Sequence, residues 1–142
     1  MTSSLLTGKL VMVAEDELLI SMLIEDVLAD AGCLVVGPFS TVSDALVAAK
    51  DALIDVALLD VNLRGEMIYP AAEALAERGI PFLLLSGYGR EAVPPNHPEW
   101  EACSKPFKAM ELTARLGARF QAGRHGIRPA ARSVSLRSGG AG

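Results

Sequence analysis

The chain has 142 residues, 51% of them apolar and 5% aromatic, with a formal net charge of −4. That length supports one domain with its own core and excludes two ordinary ones. The acidic balance excludes a general affinity for nucleic acid, and no run approaches the roughly 20 uninterrupted apolar residues of a membrane-spanning helix.

Five short apolar runs alternate with helical patterns. The first, Lys9 to Ala14 (KLVMVA), reads as a buried strand and leads directly into three acids, Glu15, Asp16 and Glu17. From Glu17 to Ala31, Leu19, Ile20, Leu23, Ile24, Val27 and Leu28 recur at helical spacing, with Ser21, Glu25, Asp26 and Asp30 on the other side and Gly32 as the stop. A second strand is predicted over Leu34 to Phe39. It is followed by a helix that Ser40 or Thr41 caps and that runs to about Ala52. Asp55 to Asp60 (DVALLD) reads as the third strand, Tyr69 to Arg78 as the third helix with Pro70 in its first turn, and Pro81 to Ser86 (PFLLLS) as the fourth strand.

These four runs are continuous and bounded by turn residues, as strands buried on both faces should be. Gly87 to Ala102 stands where a fourth helix is due, but its prolines predict an irregular connection. A weaker fifth strand falls at Ala102 to Ser104, before a last helix from about Ala109 to Ala122 that buries Leu112, Leu116 and Phe120.

From Gly123 the chain is rich in Gly, Ser, Ala and Arg, and no acid follows Glu111. The expected organisation is therefore an ordered domain over 1–122 and a basic, disordered tail over 123–142. Cys33 and Cys103 have neither metal-ligand spacing nor disulfide density, and read as small buried residues. The start of the chain lacks the basic region and cleavage site of a secretory signal, so a cytoplasmic setting is expected.

Strands alternating with helices predict an α/β fold, a mostly parallel sheet covered on both faces. In such sheets functional groups collect at the carboxyl ends of the strands. There the sequence places Glu15 and Asp16, Asp60, Ser86 and Lys105, from four separate strands. Three carboxylates brought together raise one another's pKa and cost several kcal/mol unless a cation joins them. Mg²⁺ suits oxygen ligands of this kind, and the expected ligands are Asp16, helped by Glu15, with Asp60 and the backbone carbonyl of Asn62. Glu17 is expected to point outward at the start of the helix. Asp60 is then a candidate nucleophile for a phosphoryl group, with Lys105 and the Ser86 hydroxyl to meet the phosphoryl oxygens.

The segments VAEDE, LLDVNL, LLLSGYG and SKPF together resemble the receiver domains of bacterial two-component response regulators, over Lys9 to about Ala122. The resemblance implies a doubly wound, flavodoxin/CheY-like sheet in the order 2-1-3-4-5. It also implies phosphorylation of Asp60 by a histidine kinase or histidine phosphotransferase, and a cis peptide between Lys105 and Pro106. Such receivers carry an aromatic switch residue three positions before the lysine. Here that position is Ala102, and Tyr88 is the candidate to replace it.

PFLLLSGYG also resembles the FATGUY group of short single-domain receivers, whose fourth helix is degenerate. The fourth helix belongs to the dimer surface of many response regulators, so a monomer is expected. The residues after Ala122 are too few for a DNA-binding unit, which leaves output to an unknown downstream protein or to phosphoryl relay, with no DNA and no membrane. Two other readings remain at this point: a small Mg²⁺-dependent phosphatase of haloacid-dehalogenase type, and a receiver-fold interaction module that is never phosphorylated.

Overall fold

The computed structural model describes residues 5–126. Five strands, β1 (Leu10–Ala14), β2 (Leu34–Phe39), β3 (Val56–Asp60), β4 (Phe82–Ser86) and β5 (Ala102–Ser104), form one parallel sheet in the order 2-1-3-4-5. Four helices accompany them: α1 (Leu18–Asp30), α2 (Val42–Asp51), α3 (Tyr69–Glu77) and α4 (Ala109–Gly126). The expected doubly wound α/β fold is the one observed.

Alternation along the central strands divides the core in two. Val11, Val13, Leu58, Leu83 and Leu85 face α1 and α4, in a cluster with Ile24, Leu28, Leu112, Leu116 and Phe120. Met12, Ala14, Ala57, Leu59 and Leu84 point the opposite way, in a cluster with Ala45 and Ala49 of α2 and Ala72 and Leu75 of α3. Because β1, β3 and β4 are covered on both faces, their sequences are continuous apolar runs rather than alternating ones.

Two expectations about burial need correction. The second strand is not buried on both faces: β2 lies at the edge of the sheet beside β1 alone, and Leu34 is 58% exposed. On α1 the buried stripe is narrower than the apolar pattern. Leu19 and Leu23 are 80% and 50% exposed, while Ser21, expected on the solvent side, is buried. A helix lying on a sheet hides only the face tangent to it, here Ser21, Ile24, Val27 and Leu28. The Ser21 hydroxyl accommodates its burial by donating to the Leu18 carbonyl at 2.9 Å.

The helix ends follow local chemistry. Thr41 caps α2, its Oγ1 accepting from the Asp44 N–H at 3.2 Å, and Pro70 sits in the first turn of α3. Gly32 and Gly79, with φ of 84° and 74°, turn the chain out of α1 and α3 in a conformation that a Cβ disfavours. Helix α4 continues to Gly126, four residues past the predicted Ala122. The remainder of the predicted tail lies outside the described residues. No helix among the described residues is long and apolar enough to cross a membrane. Cys33 and Cys103 are free and buried, and burial raises both thiol pKa values.

Where a fourth helix was due, only a 3₁₀ turn forms, Gly89–Ala92. Tight turns follow, closed by His97 N–H to Pro94 O and Trp100 N–H to His97 O. Trp100, 3% exposed, anchors this segment: its ring meets Phe82 edge-on at 5.1 Å, and the His97 ring stacks on it at 3.9 Å. Ala102 lies in the same buried cluster as Trp100. The bulky aromatic on this side of β5 thus enters two residues earlier than position 102. Replacing Trp100 by Ala should destabilise the fold by about 3–5 kcal/mol. Urea unfolding measures this, and a loss below about 1 kcal/mol would show the ring to be dispensable.

Candidate functional site

The carboxyl ends of four strands meet at one edge of the sheet, and each delivers an expected side chain. Glu15 and Asp16 follow β1, Asp60 closes β3, Ser86 closes β4, and Lys105 follows β5. Glu15, Asp60 and Ser86 are buried, with exposures of 2%, 7% and 4%. Lys105 reaches in from the side: its Nζ lies 2.9 Å from Asp60 Oδ2 and 3.2 Å from Glu15 Oε1. The Lys105–Pro106 peptide is cis, as the resemblance implies, and so is Gly37–Pro38.

The backbone fixes the other carboxylate oxygens. Asp60 Oδ1 accepts from the Asn62 N–H at 3.2 Å, and Glu15 Oε2 accepts from the Glu17 N–H at 3.1 Å. Glu17 itself is exposed and supplies no side-chain cap to α1. Asp16 Oδ2 accepts from the Arg64 N–H at 3.0 Å, tying the loop after β1 to the loop after β3. Arg64 can present that N–H because it turns at the tip of a small hairpin, Asn62–Leu63 paired with Glu66–Met67, with φ of 52°. The Asn62 side-chain oxygen braces the same turn by accepting from the Gly65 N–H at 2.8 Å. Sequence reasoning missed the hairpin; the asparagine-to-glycine spacing of NLRG was its available signal.

Ser86 Oγ accepts from the Tyr88 N–H at 2.9 Å, so the serine's own proton is free for another acceptor. The Tyr88 side chain, the expected switch candidate, is 79% exposed. It stands at the rim of a groove of about 310 Å³ that opens beside Asp60 and is also lined by Asn62, Met67, Tyr69 and Glu91. The Tyr69 hydroxyl donates to the Ala92 carbonyl and joins α3 to the 3₁₀ turn.

Crowding shapes the electrostatics. Burial, reinforced by the neighbouring Asp60 and opposed by the Glu17 N–H and Lys105, raises the Glu15 pKa from 4.5 to about 7. Burial alone would lower the pKa of Lys105, but the hydrogen bond to Asp60 and the charges of Asp60 and Glu15 outweigh it, and the net shift is upward. The ammonium therefore stays charged, and one cation faces three acids.

Glu15, Asp16 and Asp60 each bring one carboxylate oxygen within 4.8 Å of the others, the only such trio among the described residues. Glu15 Oε1 is fully buried and accepts no hydrogen bond, its contact with Lys105 lacking the alignment of one. A buried carboxylate oxygen whose one close partner is an ammonium shared with Asp60, within an all-carboxylate set, is what a hard divalent cation would satisfy, so the residues present fit Mg²⁺.

With this geometry established, comparison with known proteins places the chain. No protein-family model and no curated protein matches it. Solved structures do. SdrG from Sphingomonas melonis Fr1 is 39% identical over 83% of this chain and 98% of its own length, with a TM-score of 0.69. A CheY-like response regulator receiver domain from Methanospirillum hungatei JF-1, 17% identical over 85% of this chain and all of its own, superposes with a TM-score of 0.74. The receiver domain of the sensor histidine kinase PA1611 from Pseudomonas aeruginosa PAO1, solved with a magnesium ion in its active-site cleft, is 22% identical over 81% of this chain and 99% of its own, with a TM-score of 0.66. The chain belongs to the CheY-like response regulator receiver domains of two-component phosphorelay signalling.

The raised Glu15 pKa carries a consequence for stability. Between pH about 4.5 and 7 the folded, metal-free chain keeps a proton on Glu15 that the unfolded chain has lost. Its contribution to stability is full below the unfolded-state value and falls away as the pH rises through about 7. Urea unfolding in EDTA should show this decline, and Glu15→Gln should abolish it. Identical pH dependence in the two proteins would contradict the assignment.

Proposed function

We propose that this receiver takes a phosphoryl group on Asp60 from the phosphohistidine of a histidine kinase or histidine phosphotransferase. The observation that carries this reading is the 2.9 Å contact of Lys105 Nζ with Asp60 Oδ2 inside a buried carboxylate cluster. A lysine at that position neutralises an acid whose other oxygen is pinned by the Asn62 N–H. The aspartate is thereby held still for in-line attack.

In the transfer, an Asp60 oxygen attacks phosphorus, the donor's P–N bond breaks, and the imidazole leaves with the bonding pair. Positioning and neutralisation of charge are what such a transfer requires of the protein. Lys105 meets one phosphoryl oxygen, and the Ser86 hydroxyl donates to another with the proton that its own bond from Tyr88 leaves free. Glu15, Asp16, Asp60 and the Asn62 carbonyl would hold Mg²⁺, which when bound offsets the charge of the incoming phosphoryl oxygens.

The relatives support the reading. SdrG, the 39% identical neighbour, has also been solved in a BeF₃-activated conformation, and the PA1611 receiver with Mg²⁺ in its cleft. Nothing favours the phosphatase alternative. A dehalogenase-type site needs a second acid two residues after the nucleophile, and Asn62 has no proton of that acidity, its side-chain oxygen being committed to the Gly65 N–H. We read the chain as a signalling protein, one receiver unit acting as a monomer in the cytoplasm, with output by protein–protein contact or phosphoryl relay. The exposed Tyr88 at the rim of the groove remains the candidate to couple phosphorylation to the surface.

Incubation with Mg²⁺ and acetyl phosphate should add the mass of one phosphoryl group to the intact protein, and none to Asp60→Asn. An unmodified wild type beside an active control receiver, or an adduct that persists in Asp60→Asn, would overturn the proposal. The acids should also be separable: Asp16→Ala should weaken Mg²⁺ binding at least about tenfold, and Glu15→Ala less. Equal losses by calorimetric titration would show the ranking of the two ligands to be wrong.

A further inference from the structure

The groove beside Asp60 carries groups that phosphoryl transfer does not use. Over a volume of about 310 Å³ its lining brings Met67, Tyr69, Tyr88 and Glu91 together with Asp60 and Ser86. Asp60 and Glu91 are its charged residues, and no basic residue lines it. Lys105 is committed to Asp60 and Glu15 and stands outside the lining. Glu91, exposed on the 3₁₀ turn, forms no ion pair among the described residues.

Buried Asp60 and Ser86 form the floor of this groove, and the exposed Tyr88, Met67 and Glu91 form its rim. The Tyr69 hydroxyl is committed to the Ala92 carbonyl, so what that residue offers the groove is its ring. Aromatic faces attract cations, and a thioether adapts to whatever lies against it. Two carboxylates, two phenol rings and a methionine with no cation among them suit a positive group carried on an apolar stem. A guanidinium fits this lining better than an ammonium does. It is less strongly hydrated, stacks flat on aromatic rings, and its fork of donors matches carboxylate and phosphoryl oxygens two at a time.

We propose that the groove receives an arginine side chain of the downstream protein, and that this arginine reads the phosphoryl group directly. The inference rests on the phosphorylation of Asp60 proposed above. The methylenes of the arginine cover the apolar wall, while its guanidinium is drawn by Glu91 and by the acid at the floor. In the unmodified protein that floor holds one carboxylate, already in contact with Lys105. A phosphoryl group on Asp60 adds charge and acceptor oxygens there, so the same side chain is held more tightly. A partner that reads the site in this way needs no rearrangement of the receiver.

Titration of the full chain with N-acetyl-arginine amide, followed by amide and methyl NMR, tests the proposal. With Mg²⁺ and beryllofluoride standing in for the phosphoryl group, the probe should saturably shift the Met67 methyl signal and the Tyr88 and Glu91 amide signals. Its binding should be at least about threefold tighter than to the unloaded protein, and Glu91→Gln should weaken it by a similar factor. N-acetyl-citrulline amide, the neutral isostere, should leave these signals unmoved. The fluorine NMR signal of bound beryllofluoride reports loading independently. Loading without arginine-dependent shifts at these residues, or with equal affinity before and after, would overturn this inference alone. Equal binding of the citrulline probe or of N-acetyl-lysine amide would overturn it too, because the groove would then not be selecting a guanidinium. Absence of the fluorine signal would overturn the phosphoryl reading as well.

Discussion

The structure turns on a local excess of negative charge held in place by one ammonium. Glu15 and Asp60 are buried beside each other, Asp16 is held against them by the Arg64 N–H, and Lys105 is the cation that touches two of the three. Buried carboxylates without compensation are among the most costly groupings a fold can contain. Two responses are visible in the chain. The Lys105 ammonium is kept charged by its partners, and the Glu15 carboxyl is pushed toward protonation. A divalent cation would complete the compensation that one lysine leaves unfinished.

Everything else in the fold serves the convergence of those groups. The order 2-1-3-4-5 puts β1, β3 and β4 side by side at the centre, and their buried, continuous apolar runs make the strand ends rigid. The loops emerging from that platform bring the groups together. The segment after β4 is the exception to helical regularity. A single buried indole, Trp100, does the anchoring that a helix would otherwise provide, stacked against His97 and edge-on to Phe82. The 3₁₀ turn and Tyr88 are left at the margin of the groove beside Asp60.

Much of this is legible in the sequence, and for physical reasons. Strands buried on both faces leave continuous apolar runs, so β1, β3 and β4 stand out, and the polar residues that end them, Asp60 and Ser86, mark the site. Lys105 is recognisable through the joint pattern: alone it reads equally as a solvated charge, but it ends a fifth run where the acids of the other strand ends converge. What stays hidden depends on tertiary contacts. Nothing local tells that Leu19 and Leu23 are exposed while Ser21 is buried, since that follows from how α1 is rotated against the sheet. The edge position of β2 follows from strand order, which apolar runs do not encode and which the family resemblance supplies. The bond from Arg64 to Asp16 spans 48 positions and rests on two-residue strands too short to leave a periodic pattern.

The claim that these acids are crowded enough to need a cation is tested most directly at Glu15. Carboxyl-carbon NMR on selectively labelled protein follows its ionisation without reference to stability or phosphorylation. The account predicts that Glu15 titrates near pH 7 in EDTA and far lower once Mg²⁺ is added. Titration near 4.5 in both conditions would mean that the carboxylates are not forced together, and that the charge balance described for this site is wrong.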